Sequence, residues 1–357
     1  MPAYTFVDQP DLIVPALESH QRIGLDTEFM RERTYFSQLC LVQVSANTDI
    51  YCVDPLTPGD MAAFWAALSG RTWIAHAARQ DIEVIYQTAG RMPSGLFDTQ
   101  VAAGLLGMQP QIGYGNLVNE LFDVELPKSH TRANWAERPL PGRYLEYAAE
   151  DVEYLLPAYE ALAERLEQKG RLAWAEADSM LLTDPLLYDI EPKSAVERLK
   201  GARRLRGKQR AVAERLAEWR EQEALQRDKP RQWILRDNVI LDIAYKMPSS
   251  IAELRAIDDM PAKVLQRKGD EILQRVLDAA GDNNAYRPPG APDESQKNLL
   301  KRMQKIVQDC ARDLDIAAET IASKKELSAV IIDGHRDSRV FEGWRRDLIG
   351  DRLAALL

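Results

Sequence analysis

Several kinds of feature are scarce in this chain of 357 residues. There are only three cysteines, Cys40, Cys52 and Cys310, and none stands in a Cys-x-x-Cys pair. This argues against a disulfide framework and a thiolate zinc site, so we expect a reducing, cytoplasmic compartment. No apolar run approaches membrane-spanning length. Met1 to Pro10 shows no basic region followed by an apolar core, so we also expect no signal peptide.

Positive charge is scarce in the first half of the chain. Residues 1–190 carry 13 Lys and Arg against 27 Asp and Glu, a net charge of −14. Residues 191–357 carry 33 against 28, a net charge of +5. A basic half indicates contact with a polyanion, and a helical region with solvated Lys and Arg side chains is the alternative.

The pattern of apolar residues separates a front part with strands from a back part without them. Apolar and β-branched runs predict strands at residues 23–29, 38–44, 49–53 and 71–76, with a hairpin between the second and the third. The longest helical pattern of the front part predicts one helix over residues 142–169, ended by Gly170. Beyond about Ser194 only helical patterns remain, and residues 281–294 read as a linker rich in Gly, Pro, Asn and Asp.

We therefore predict an α/β protein with a mixed β-sheet flanked by helices, followed by two small all-α domains. The length also favours two or three domains over one. The predicted boundaries are 1–190 for the α/β domain, 205–280 for the first helical domain and 295–357 for the second.

Asp26 and Glu28 close the first predicted strand. Side chains two residues apart on a strand point to the same face. Two carboxylates on one face, beside Leu25 and Phe29, repel each other unless a cation lies between them. Divalent ions such as Mg²⁺ or Mn²⁺ take oxygen ligands, which makes them the natural candidates. A solvated strand face is the alternative, and this stretch alone does not separate the two.

Two further stretches carry carboxylates that such a site requires. Asp81 lies near the start of a predicted helix, where an acid also suits the helix dipole without any other role. Tyr147 and Asp151 stand four residues apart and so share one helix face. Because Asp has low helix propensity, Asp151 in mid-helix indicates a metal ligand beside a phenol, with a solvated acidic face as the alternative. Asp98 is predicted to be the N-cap of another helix.

Taken in order, these stretches resemble the three motifs of the DEDD superfamily of 3′→5′ exonucleases, tyrosine subtype, and most closely the ribonuclease D family. The matching stretches are LDTEF with Asp26 and Glu28, HAARQD with Asp81, and YAAEDVEYL with Tyr147 and Asp151. Residues 236–244, RDNVILDIA, resemble the HRDC domain of that family, and residues 323–327 and 343–345 resemble its second, more divergent unit. The resemblance implies an RNase H-like exonuclease domain followed by two HRDC-like domains.

Two positions depart from the family pattern. Gln80 stands where an acid commonly precedes the aspartate of the second motif, although Asp81 itself is present. Asp258 and Asp259 occupy a turn of the HRDC-like domain where we expect a glycine. The second departure concerns the local turn geometry and leaves the fold prediction unchanged.

The resemblance implies a metal-dependent exoribonuclease that trims RNA 3′ ends and releases nucleoside 5′-monophosphates. It assigns two divalent cations, Mg²⁺ or Mn²⁺, to four carboxylates: Asp26, Glu28, Asp81 and Asp151. Tyr147 is expected to orient the attacking water or, in a stronger version, to accept its proton. The implied partners are single-stranded RNA 3′ ends, tRNA precursors in particular, and we expect a monomer without membrane contact.

Substrate contacts are predicted at several side chains. Phe29 is a candidate for stacking on the terminal base and His76 for a phosphate contact, although core packing explains Phe29 equally well and a satisfied buried histidine is the favoured interpretation of His76. A basic and aromatic loop adds Lys128, Arg132, Trp135 and Arg138, which a plain surface loop would also explain. Phosphate contacts in the helical half are expected from Arg231, Arg236, Lys246, Lys263, Arg267 and Lys268. Deletion of residues after about 200 should therefore raise KM and flatten its salt dependence, with turnover largely intact.

Two other functions remain open at this point. The same carboxylates serve a 3′→5′ DNA exonuclease of the proofreading or repair type, since discrimination depends on contacts to the 2′-OH. An inactive nucleic-acid-binding module is the second alternative. The presence of all four acids and of Tyr147 argues against it.

Overall fold

Two compact units make up the chain. The computed structural model describes residues 2–57, 59–127, 133–281, 292–334 and 337–357. The first unit comprises Met1–Met30, Gln38–Tyr188 and Ala291–Leu357, and the second comprises Arg31–Ser37 and Asp189–Gly290. The three predicted domain boundaries stay a prediction, but the C-terminal segment belongs to the same compact unit as the α/β part.

A six-stranded mixed sheet forms the centre of the first unit. Its strands are β1 Thr5–Val7, β2 Arg22–Met30, β3 Gln38–Ala46, β4 Asp49–Val53, β5 Thr72–Ala75 and β6 Gly95–Asp98. Their order in the sheet is β1-β4-β3-β2-β5-β6. Strand β3 is antiparallel to β2 and β4, and the remaining pairs are parallel. The mixed sheet and the β3–β4 hairpin confirm the predicted fold class, whereas β1 and β6 were not predicted.

Helices cover both faces of this sheet. They are α1 Val14–Glu18, α2 Ala62–Ser69, α3 Arg79–Ala89, α4 Thr99–Leu105, α5 Tyr114–Phe122, α6 Gly142–Glu153, α7 Leu155–Gln168 and α8 Leu172–Met180. Short 3₁₀ turns at Pro10–Ile13, Leu181–Thr183 and Pro185–Leu187 complete this part. One apolar cluster, with Ile23 and Trp73, fills one side of the sheet, and a second, with Leu41 and Ile74, fills the other. In the part of the chain that the structure describes, no helix has the length and apolar character to cross a membrane.

The prediction of one long helix over residues 142–169 is wrong, because α6 ends at Glu153 and α7 begins at Leu155. Tyr154 between them has φ −101° and ψ 3°. Pro157 explains the break. Its ring clashes with the carbonyl four residues earlier, that of Glu153, and it has no N–H to bond that carbonyl. The proline was visible in the sequence, so this break was predictable.

The second unit is helical, as predicted. It contains 3₁₀ turns at Pro192–Arg198 and Ala202–Arg204, followed by α9 Gly207–Gln226, α10 Arg231–Ile234, α11 Asp237–Lys246, α12 Ile251–Arg255 and α13 Ala262–Ala280. Residues around α9 and α11, among them Trp219 and Ile240, form its core. Ser250 caps α12 by accepting a hydrogen bond from the Glu253 N–H. Asp259 has φ +56°, which is the left-handed conformation for which we expected a glycine.

The C-terminal segment packs against the α/β part within the first unit. It contains α14 Glu294–Leu314, α15 Ala318–Ile321, α16 Lys324–Ile332, a 3₁₀ turn Arg339–Phe341, α17 Gly343–Arg345, a π-helical turn Arg346–Gly350 and α18 Asp351–Ala354. Trp344 stacks on Trp174 of α8, with 4.6 Å between ring centroids and 7° between the planes. The Arg171 guanidinium donates to the carbonyls of Leu105 and Leu314, at 2.8 Å each.

This packing corrects the expected effect of a deletion after about residue 200. Such a deletion removes Met303, Val307 and Trp344, which share one buried apolar cluster with residues of the sheet and of α6. Exposing that cluster costs stability in proportion to the apolar area uncovered. A truncated chain therefore does not separate RNA binding from the integrity of the catalytic unit, and point substitutions are the better test.

Candidate active site

Three carboxylates meet where β2 ends beneath α6. One oxygen each of Asp26, Glu28 and Asp151 lies within 4.8 Å of the others. Asp26 and Glu28 lie on one face of β2, as the strand period predicts, and Asp151 comes from α6. The three line a cleft of about 730 Å³, which Asp81 and Tyr147 also line.

A β-bulge shapes the strand that carries the acidic pair. Glu28 pairs with Leu41 of β3 and Phe29 with Leu39, so Cys40 is an extra residue between the two pairings. A bulge bends the strand and increases its twist, and bulges are frequent beside active sites. The bulge follows directly after Glu28, the second of the two acids.

Asp81 reaches the cleft from the first turn of α3. The Thr27 hydroxyl donates a 2.5 Å hydrogen bond to Asp81 Oδ1. Thr27 lies between the two acids of β2, so its side chain points to the opposite face of the strand, the face on which α3 packs. Asp81 is therefore anchored beside the group of three carboxylates and does not belong to it in this structure. The sequence analysis missed Thr27, and its position between Asp26 and Glu28 was the available signal.

Asp98 organises the loop that precedes Asp81. As predicted, it caps a helix, accepting hydrogen bonds from the N–H groups of Gln100 and Val101 in α4. It also accepts from the N–H groups of Ala77 and Ala78, at 3.1 and 2.9 Å. Ala77 has φ +55°, an unusual conformation for a residue with a Cβ. One carboxylate thus holds the start of both α3 and α4, and with it the position of Asp81.

Burial and nearby negative charge raise the pKa values of the four acids. Burial and then the charges of Asp81, Asp151 and Glu28 hold the pKa of Asp26 well above its usual range. Burial, with the charges of Asp151 and Asp81, raises the pKa of Glu28 to about 9. The pKa values of Asp81 and Asp151 rise to about 7, in both cases chiefly through burial. Four oxygen-donor side chains whose charged forms are disfavoured fit a site for hard divalent cations.

Tyr147 lies next to Asp151 on the same face of α6. Its hydroxyl donates a hydrogen bond to the Asp151 carboxylate, which partly offsets the effect of burial on the carboxylate's pKa. Burial and the charge of Asp151 raise the pKa of Tyr147. The ring of Trp135 lies 6.2 Å from that of Tyr147 and lines the same cleft. The phenol is therefore protonated at neutral pH and acts as a hydrogen-bond donor.

Tyr114 is a residue of the cleft that the sequence analysis missed. Its hydroxyl accepts a hydrogen bond from the Tyr154 N–H, at 3.0 Å, and donates to the Glu150 carbonyl, at 3.4 Å. These two backbone groups lie on either side of Asp151, where α6 ends. The break in the helix leaves this N–H and this carbonyl without their usual helical partners, and the Tyr114 hydroxyl bonds both. It thereby fixes the backbone that carries Asp151. A tyrosine in a short helix gave no sequence signal for this role.

The structure places four of the predicted substrate-contact residues. Phe29 is half-buried and lines the cleft, and Trp135 is buried and lines it too. Both ring nitrogens of His76 are bonded, Nδ1 to the Thr99 hydroxyl and Nε2 to the Ile112 carbonyl, at 2.9 Å each. The Arg138 guanidinium forms an ion pair with Asp54, at 2.6 Å. His76 and Arg138 thus have internal partners.

Three of the predicted substrate contacts belong to the loop with Lys128, Arg132 and Arg138. Lys128 and Arg132 lie outside the described residues. Arg138 also donates to the Trp135 and Cys40 carbonyls, at 2.8 and 2.7 Å, which gives it a role in holding its own loop. Contact of any of these side chains with substrate stays a prediction.

Comparisons with known proteins agree with this geometry. A family model described as a 3′-5′ exonuclease matches residues 5–167, and an HRDC domain model matches residues 209–276. The chain is 35% identical to ribonuclease D of Gluconacetobacter diazotrophicus over 360 residues, which covers 96% of this chain and 89% of that protein. It is also 35% identical to ribonuclease D of Pseudomonas paraeruginosa over 341 residues, covering 93% and 90%.

A solved structure extends the similarity to the whole fold. The crystal structure of Escherichia coli RNase D, an exoribonuclease involved in structured RNA processing, superposes with a TM-score of 0.90. The two chains are 29% identical, and the match covers 99% of this chain and 98% of the other. The predicted fold, an RNase H-like exonuclease domain followed by an HRDC helical region, is confirmed.

Proposed function

This chain belongs to the ribonuclease D family and is a 3′→5′ exoribonuclease, and on that premise we propose that two divalent cations bind to four of its carboxylates, those of Asp26, Glu28, Asp81 and Asp151. The convergence of three carboxylate oxygens within 4.8 Å carries this proposal. Every donor is a hard oxygen, the ligand type that Mg²⁺ and Mn²⁺ prefer. Burial and nearby negative charge raise the pKa values of all four acids, and bound cations would offset this cost of holding the acids in their charged form.

The chain's own groups have separate roles in the proposed reaction. Bound cations would supply charge neutralisation at the scissile phosphate and an activated water. The Thr27 hydroxyl holds the Asp81 carboxylate, and Tyr114 holds the backbone around Asp151. Tyr147 donates its hydroxyl proton in a hydrogen bond to the Asp151 carboxylate, and its hydroxyl oxygen orients the attacking water by accepting a hydrogen bond from it.

Replacement of Tyr147 by Phe tests the orienting role. We expect kcat to fall by about 10²-fold or more, the contribution typical of a positioned proton-transfer or orienting group. KM should change little, and thermal stabilisation by Mn²⁺ should remain, because the carboxylates are untouched. Rates of mononucleotide release and melting curves with and without Mn²⁺ measure both effects. Tyr144→Phe, one turn earlier on α6, is the matched control, and activity of Tyr147→Phe within a fewfold of wild type would rule the role out.

A second part of the proposal concerns the physiological substrate. We propose that the enzyme trims the 3′ extensions of tRNA precursors, acting as a monomer in the cytoplasm. The resemblance to the family and the structural likeness to an exoribonuclease of structured RNA processing support this substrate. The three cysteines are free and buried, which suits a reducing compartment.

A tRNA precursor with a short 3′ extension tests this substrate. We expect the extension to be removed nucleotide by nucleotide and digestion to slow sharply at the base-paired acceptor stem, because base pairs must open before their 3′ strand can be digested. A DNA strand of the same sequence should be degraded more slowly, since it lacks the 2′-OH. Gel analysis of the two time courses measures this. Faster digestion of DNA would favour a repair-type exonuclease, and indifference to the stem would contradict the tRNA assignment.

A further inference from the structure

Five exposed cations cluster in the second unit. Residues 200–208, KGARRLRGK, which we call the basic strip, contain Lys200, Arg203, Arg204, Arg206 and Lys208. No acidic residue stands between Glu197 and Glu214. The strip lies between the segments 5–167 and 209–276 that the family models match, so neither match gives it a role.

The packing of the strip holds its cations on one side. Leu199, Ala202 and Leu205 recur at every third residue, are at most 3% exposed and belong to the unit's apolar core. This spacing fits the 3₁₀ turn Ala202–Arg204, in which three residues complete one turn. The residues between these three anchors therefore face solvent. Gly201, with φ +101°, makes the turn possible.

A depression of about 560 Å³ lies beside these side chains. Lys200, Arg203 and Arg204 line it together with Arg198 and Glu197. Arg198 is paired with Glu221, at 3.1 Å, and Glu197 with Arg210. The three remaining cations thus leave the depression strongly positive.

The five strip cations lie together without an acidic partner among the described residues. Elsewhere in the described part of this unit, cations held in ion pairs include Arg198, Arg210, Arg220, Arg227, Arg231, Lys246, Lys268 and Arg275. None of the five strip cations forms an ion pair with any residue that the structure describes. The Arg206 guanidinium donates only to carbonyls of the strip, those of Arg203 and Leu205, at 2.6 and 2.9 Å. Neighbouring like charges repel, and a polyanion removes that cost.

We propose that the basic strip binds the phosphate backbone of the RNA substrate. This rests on the proposed function, and it adds a site to the six cations that the sequence analysis named. Phosphate contacts by Lys and Arg give affinity without sequence preference and make binding depend strongly on salt. Residues 1–190 carry a net charge of −14 and repel RNA in the absence of cations. The strip supplies positive charge that attracts RNA in spite of this repulsion.

The triple variant K200Q/R203Q/R204Q in the full-length chain tests the strip. Binding of a labelled single-stranded RNA is followed by fluorescence anisotropy in EDTA over a series of KCl concentrations. We expect Kd to rise about tenfold or more, and the slope of log K against log salt to fall by about 2, at about 0.7 for each lost phosphate contact. The conservative variant R203K/R204K should bind close to wild type, because it keeps the charge. Circular dichroism melting confirms that each variant is folded.

A matched control removes the same charge elsewhere. K301Q/R302Q/K324Q alters three exposed cations of the C-terminal segment that form no ion pair with described residues, and we expect its Kd and salt slope to match wild type. An unchanged slope in the strip variant, or an equal loss in the control, would overturn the proposal. The proposal would also be overturned if the strip variant bound RNA like wild type but no longer bound phosphatidylserine vesicles that wild type binds. That result would assign the strip to a membrane surface. Failure of wild type to degrade RNA with Mn²⁺ would instead refute the proposed function.

Discussion

Replacement of Asp26 by Asn is expected to lower the rate of RNA hydrolysis by at least about 10²–10³-fold, the loss typical of removing one group that stabilises transition-state charge. Asp26 faces Glu28 and Asp151 within the group of three and is also repelled by Asp81. The amide has the same shape as the carboxylate but no charge to attract a cation. Release of mononucleotide from a 3′-labelled RNA measures the rate.

The same substitution should not weaken the fold in the absence of metal. Because burial and the neighbouring acids raise the pKa of Asp26, its charged form costs folding free energy at neutral pH. Asn carries no such cost, so in EDTA we expect the variant to melt at or above the temperature of wild type. Asp49→Asn, at an exposed position of the β3–β4 hairpin, is the control and should leave the rate unchanged. An Asp26→Asn enzyme within a fewfold of wild-type rate would remove Asp26 from the site.

Replacement of Arg345 by Ala is expected to destabilise the first unit by about 3–5 kcal/mol, the cost of leaving one partner of a buried ion pair alone. The Arg345 guanidinium is 3% exposed and donates to both oxygens of Asp178, at 2.6 and 2.7 Å. It also donates to the carbonyls of Thr320 and Ile321, at 2.9 and 2.8 Å. Its loss leaves two carbonyls without this donor and Asp178 without its ion-pair partner, with the Trp344 indole N–H still donating to Asp178 at 3.1 Å.

Thermal unfolding measures this loss, and we expect a fall in melting temperature of about 10 °C. Arg312→Ala is the matched control, since Arg312 is exposed and pairs with Asp309 on the same helix, and its loss should cost less than about 1 kcal/mol. Replacing Asp178 and Arg345 together should cost less than the sum of the single changes. Equal stability of Arg345→Ala and wild type would show that this ion pair does not stabilise the first unit.

Local patterns in the sequence were sufficient to predict parts of the site. The period of two placed Asp26 and Glu28 on one face of a strand, and the spacing of four placed Tyr147 and Asp151 on one face of a helix. Neither pattern brings the two stretches together, because they are more than 100 residues apart and each pattern describes only its own element. Their convergence was predicted solely through the order of the family motifs.

Other features depend on packing between distant elements. Thr27 became significant only once α3 was known to lie over that face of β2, and Tyr114 only once α6 was known to end beside it. The pair of Asp178 and Arg345 joins residues far apart in sequence, and no local pattern in the C-terminal segment indicated that its helices share an apolar core with the α/β part. The break at Pro157 is the exception, since the steric rule for proline was sufficient to predict it.

The central claim is that the carboxylate cluster degrades RNA from its 3′ end with divalent cations. The most direct measurement is digestion of one single-stranded RNA, labelled at the 3′ end in one sample and at the 5′ end in another, with Mg²⁺ or Mn²⁺. We predict that the 3′ label leaves first as a nucleoside 5′-monophosphate, while the 5′-labelled strand shortens one nucleotide at a time. EDTA and the Asp26→Asn variant should both prevent this. Internal fragments, or undiminished release in EDTA or by the variant, would contradict the claim.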